Sequence, residues 1–140
     1  MCADGVILAD TDGSGPAVRE QAQAVLAAGP PPLAPGELDG RRYGLTDLLD
    51  DLAGSSDPGE TAIICWNVLC EAAELALLLD GCWLGTGKWL LRELRAAEPR
   101  LADQLIDARD DPAQLASLAE GVLARSGGRL WAGYRRQGRL

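Results

Sequence analysis

The segment from Pro58 to Asp80, PGETAIICWNVLCEAAELALLLD, constrains the fold more than any other part of the chain, because apolar residues run around nearly the whole circumference of the helix it would form. Such a helix has little to offer water and belongs at the centre of a bundle, with Leu69, Ala72, Ala73 and Ala76 buried. Its one polar stripe is Asn67, Glu71 and Glu74, which share a face at i, i+4 and i+7 between Ile63 and Leu78. The most apolar run within it, Ala72 to Leu79, is broken by Glu74 and too short to cross a bilayer. No charged region followed by an apolar one opens the chain. The sequence therefore reads as cytoplasmic, with no membrane partner.

Glycines and prolines divide the remainder. Residues 5–9, GVILA, form a short apolar run between Asp4 and Asp10 and are expected as a strand. No second strand is in sight, so this one would dock on helices or pair with a second copy of the chain across a two-fold axis, giving a homodimer. A helix follows over about Pro16 to Ala28, then an extended linker holding Pro30, Pro31, Pro32 and Pro35. Further helices are expected over Gly36–Ala53, Pro58–Asp80 and Lys88–Ala97, then from Pro99, and from Pro112 to about Arg125. At 140 residues and 47% hydrophobic content the chain can bury one core. The fold class is all-α: a bundle of about five to six helices over residues 35–140, with a strand, a helix and a Pro-rich linker over residues 1–34.

Composition removes several chemistries. With no histidine, Ser-His and Cys-His nucleophile pairs are excluded, and a zinc site has almost nothing to draw on. Cys65 and Cys70 are five residues apart on a helix, so they point roughly 140° apart and read as small core residues rather than a disulfide. A formal charge of −8 argues against a nucleic-acid surface, which needs a basic footprint. The basic residues that exist gather late, at Arg125, Arg129, Arg135, Arg136 and Arg139, while the first sixty residues carry much of the acid. Two motifs fail on inspection. Asp10 and Asp12 after a single strand lack the alternating parallel strands of a haloacid-dehalogenase fold. Gly85-Thr86-Gly87-Lys88 lacks the first P-loop glycine, where Cys82 stands, and has Trp89 where the loop needs Ser or Thr.

The candidate site comes from the helical faces. On the second helix Leu38, Leu45, Leu48, Leu49 and Leu52 make one stripe; Tyr43, Asp47 and Asp50 lie opposite, with Asp51 beside them. If that side shares a cleft with Glu71 and Glu74, the result is an acidic cavity with Trp66, Trp83 and Trp89 at its rim. Acids and indole faces together suit a cationic small molecule. If both stripes face water, nothing needs explaining. Lys88 at a helix start is electrostatically misplaced, which leaves three readings: a pair with a buried carboxylate, a contact to a ligand anion, or a plain surface lysine.

The run RRYGLTDLLDDL and the run CWLGTGKWLLRELRAAEP from Cys82 to Pro99 together resemble the helical C-terminal domain of actinobacterial nucleotidyltransferases related to the aminoglycoside-modifying enzymes. That resemblance covers about Ala3 to Gly133 and implies a helical substrate domain in which Asp47, Asp50, Asp51, Glu71 and Glu74 bind a polyamine or supply a carboxylate base. Lys88 and Trp89 match the pattern GTGKWL. The Gly-Ser turn and metal-binding carboxylate pair of the family's catalytic half are missing, so the expectation is a free-standing domain that needs no metal and no cofactor. Its catalytic groups would be Asp47, Glu71 and Glu74. Tyr43, Asp50, Asp51, Trp66, Asn67, Trp83, Lys88 and Trp89 would bind the ligand. Such a domain could rearrange a small molecule as a cyclase or isomerase in a biosynthetic pathway. It could instead serve a separate catalytic subunit of a split nucleotidyltransferase, or act as a non-enzymatic dimerisation module. In each case the chain alone should show no nucleotidyl transfer and no micromolar, magnesium-dependent affinity for ATP by calorimetry. Such an affinity would reveal a nucleotide site that the sequence does not display.

Overall fold

The computed structural model describes residues 5–131, which divide into two compact units at Pro31/Pro32. In the first, α1 spans Gly15–Ala28 with Pro16 in its first turn, where a missing N–H costs nothing. The Ser14 N–H and hydroxyl both donate to Asp12 Oδ1, at 3.0 and 2.6 Å, and Arg19 donates to the Gly5 carbonyl, which ties the preceding coil back to the helix. α1 has no buried residue.

The expected strand at residues 5–9 is not formed. The segment is coil with a bend at Leu8, and Val6 and Leu8 are exposed. A lone apolar run has no ladder to join, and its backbone groups gain nothing from extending beside no partner.

The second unit is the bundle: α2 (Pro35–Gly54), α3 (Pro58–Leu79), α4 (Lys88–Ala97), α5 (Pro99–Asp107) and α6 (Pro112–Ala124). The sequence punctuates it clearly. α3 and α6 both start on Asp-Pro-x-(Glu/Gln): the carboxylates of Asp57 and Asp111 accept from the N–H groups of Glu60 and Gln114 at 2.9 and 3.0 Å, and the proline follows in the first turn. α3 ends on Gly81, whose positive φ of 68° lets the Gly81 N–H reach the Leu78 carbonyl and the Cys82 N–H reach the Leu77 carbonyl. Between α4 and α5 stands Glu98 alone, because Pro99 cannot continue α4.

α3 packs on all four other helices of the bundle, with α2 and α6 also in contact and α4 paired with α5. Its second half carries the load. Val68, Leu69, Ala72, Ala73, Leu75, Ala76 and Leu77 are all buried, including the four positions expected from the pattern. Ala72, Ala73 and Ala76 present only methyl groups, which lets neighbouring helices come close. By length and composition α3 is also apolar enough to cross a membrane, but in this fold those side chains form the core of the bundle. The first half behaves differently from expectation: Ile63 is 66% and Trp66 59% exposed, so the helix is enclosed over only part of its length. Leu77→Ala, which empties a fully buried position, should lower unfolding free energy by about 2–5 kcal/mol in urea titrations. Ile63→Ala should stay within about 0.5 kcal/mol. Equal losses at the two positions would contradict a hub confined to the second half.

Candidate functional site

α2 brings Arg41 to the polar stripe of α3. Its Nη1 lies 2.5 Å from Glu74 Oε2 and 3.4 Å from Glu71 Oε2, so one guanidinium spans both acids. Burial works to weaken the charge on Arg41, but the hydrogen bonds and charges of Glu74 and Glu71 outweigh it and hold its pKa above the usual value. One guanidinium therefore offsets part of the charge of two acids that the sequence suggested for an acidic cavity. Arg41 and Arg42 precede Tyr43 in the chain, and a long guanidinium side chain reaches acids that a count of nearby lysines overlooks.

The expected site residues are distributed over three surfaces. Tyr43 and Glu71 line a shallow groove along α2 with Glu37, Gly40, Arg41 and Leu48. Asp50 and Asp51 line a second open groove, at the end of α2 and the start of α3, with Glu60 and Ile63. Glu74, Trp66 and Lys88 line a third space, deeper and only partly open, between α3, α4 and α5. Asp47 and Asn67 are exposed, and Trp83 is half-buried. Trp89 is half-exposed, but its ring is already met by cations of its own helix: the Arg92 guanidinium sits 4.7 Å and the Lys88 ammonium 5.9 Å from its centroid.

This third space is the most ligand-like of the three. Its volume is about 350 Å³, and its walls are Leu69, Ala73, Leu90, Leu94, Leu105 and Ile106 among others. Pockets between the helices of a bundle commonly have such apolar walls with few polar groups. The loop Gly85-Thr86-Gly87 forms its rim. Gly85 is required there, since a Cβ would stand 2.5 Å from the Trp89 carbonyl carbon and 2.7 Å from the Leu90 nitrogen. The loop is thus seated against the first turn of α4. Cys70 also lines the wall. Burial, with the charges of Glu74 and Glu71, pushes its thiol pKa up, so it presents a neutral S–H rather than a nucleophilic thiolate.

A second polar system escaped sequence reasoning. Arg42, Thr46 and Asp50 recur every four residues along α2 and hold the segment that follows α6. Arg42 Nε donates to the Gly128 carbonyl at 3.1 Å. The Thr46 hydroxyl donates to the Arg42 carbonyl at 2.8 Å and accepts from the Leu130 N–H at 3.0 Å. Asp50 accepts from Arg129 at 2.6 Å and from the Trp131 indole at 2.9 Å. Arg129 also grips Glu120, and together the two acids raise its pKa. Thr46, buried with both hydroxyl roles filled, is the buried polar side chain among the described residues. The four-residue recurrence of polar groups on α2 was the available signal. Asp50, expected in a ligand cleft, belongs to this clasp.

Among the described residues no group of three or more Cys, Asp or Glu stands ready to hold a metal ion. Comparison of the chain with protein-family models, with curated proteins and with solved structures finds no match. The raised Cys70 pKa leads to one expectation. Alkylation of that residue by iodoacetamide, followed by peptide mass mapping, should be slow at pH 7 and accelerate as pH climbs past the ordinary thiol range near about 8.5. Rapid modification at neutral pH would contradict the buried, acid-flanked setting.

Proposed function

We propose that this chain is a small-molecule-binding helical domain whose ligand enters the space between α3, α4 and α5. The carrying observation is the partly open, mainly apolar volume of about 350 Å³ with Trp66, Glu74 and Lys88 among its lining residues. That volume lies at the lower end of the range for ligand pockets, about 300–1,000 Å³, so it suits one compact molecule. This reading keeps a bound small molecule from the sequence expectation and changes the place where it sits.

Of the three carboxylates first considered for chemistry, Glu74 is the one that lines the cavity. A cyclase or isomerase reaction would use it to receive or return a proton, with Arg41 holding the carboxylate in position. Cys70 as a neutral thiol does not favour covalent catalysis. The rim loop carries the GTGKWL pattern, whose resemblance to a nucleotidyltransferase substrate domain is in keeping with a ligand-binding role. The exposed Ile63 and Trp66 on the first half of α3 favour a second reading, a docking module, since an uncovered apolar helix face often meets another protein.

A thermal-shift screen of compact amphipathic compounds tests the proposal. A ligand at a hundred times its dissociation constant should stabilise the parent chain by roughly 2.7 kcal/mol. It should leave Cys70→Phe, whose ring would project into the cavity, unshifted, provided that variant melts cooperatively. Compounds that shift both proteins equally would bind elsewhere and count against the cavity.

A further inference from the structure

The cavity between α3, α4 and α5 has two charged residues in its lining, Glu74 and Lys88, and they stand in different circumstances. Glu74 is engaged by Arg41, which also takes Glu71. Lys88, the only lysine in the sequence, makes no ion pair among the described residues, in a chain that carries 21 acids. Its recorded contact is the Trp89 ring, 5.9 Å away, which it shares with the closer Arg92. Lys88 also opens α4, and no acidic residue occupies that helix's first turn. Its ammonium therefore adds to the positive end of the helix instead of offsetting it. Behind this uncompensated charge the cavity wall is mainly apolar, with Leu69, Leu90, Leu94, Leu105 and Ile106 prominent in it.

We infer that the cavity takes an amphipathic anion: an apolar body between α3, α4 and α5, with a single carboxylate head at the mouth against Lys88. The inference rests on the reading of this space as the ligand site, and it assigns the ligand's charge. An amine is disfavoured, because the acid that would receive it already holds Arg41 while the cation beside it has no counterion. The limited volume excludes a lipid with two acyl chains and fits a single-chain or compact ring carboxylic acid.

Decanoate, decanol and decylamine share one chain and differ in head group, so they separate the two questions when titrated calorimetrically, below their aggregation concentrations, into the full chain. Decanoate should bind the parent protein at least tenfold more tightly than decanol, and decylamine should bind more weakly than either. Lys88→Met should bring decanoate down to the affinity of decanol, and Lys88→Arg should keep most of the advantage. Cys70→Phe should weaken both decanoate and decanol. The charge assignment is overturned if decylamine binds tightest, if decanoate and decanol bind the parent equally, or if Lys88→Met leaves decanoate unchanged. In those cases loss of decanol binding in Cys70→Phe would still uphold the cavity as a ligand site. If none of the three binds the parent, the cavity reading fails together with the inference.

Discussion

The second half of α3 offers water little beyond its Glu71–Glu74 edge, and the arrangement of the other bundle helices follows from that. Over Val68 to Leu77 the buried side chains, Val68, Leu69, Ala72, Ala73, Leu75, Ala76 and Leu77, point in most directions around the axis. Covering them takes α2 and α6 on one part of the circumference and the α4–α5 pair on another. Removing so much apolar surface from water is the dominant favourable term in the fold, and small residues at Ala72, Ala73 and Ala76 make it achievable at close range. The cavity is a by-product of the same geometry. Where α3 turns Leu69 and Ala73 toward the short α4 and α5, the two helices and the glycine loop before them leave a gap that the side chains do not fill.

Much of this was legible in the residues, because helix limits here are written in local chemistry. Pro35, Pro58, Pro99 and Pro112 each start a helix, and Gly29 and Gly81 each follow one. Burial of Leu69, Ala72, Ala73 and Ala76 followed from periodicity alone. The strand at residues 5–9 was misread because strand propensity is realised only beside a partner, and local sequence does not say whether one exists. The apolar circumference of α3 likewise gave no sign that its first half would stay open at Ile63 and Trp66, since that depends on the length of the helices laid against it.

The site was harder to read for a related reason. Tyr43, Asp47, Asp50, Glu71 and Glu74 were placed together by helical phase, which states direction but not neighbours. Arg41 crosses between helices to Glu71 and Glu74, and Asp50 is claimed by Arg129 and Trp131 from 79 and 81 residues away in the chain. Such long-range pairings have no local signature. The cavity has none either, because its walls are ordinary leucines, isoleucines and alanines that any core would contain. Lys88 is the exception: an isolated lysine placed against its helix dipole is visible in the sequence, and the structure shows what stands behind it.

The clasp on α2 bears on the order in which the molecule is made. The segment Gly128–Trp131 closes on Arg42, Thr46 and Asp50, so residues near the start of the bundle are completed by residues near the end of the chain. A growing polypeptide on the ribosome would have α2 and α3 available to pair long before α6 exists. Until Leu130 is synthesised, the Thr46 hydroxyl has Arg42 as its partner but no N–H donating to it, and Asp50 has neither Arg129 nor Trp131. Premature release of the nascent chain before Gly128 would yield a bundle with an open polar seam along α2, whereas a chain that extends through Trp131 seals that seam.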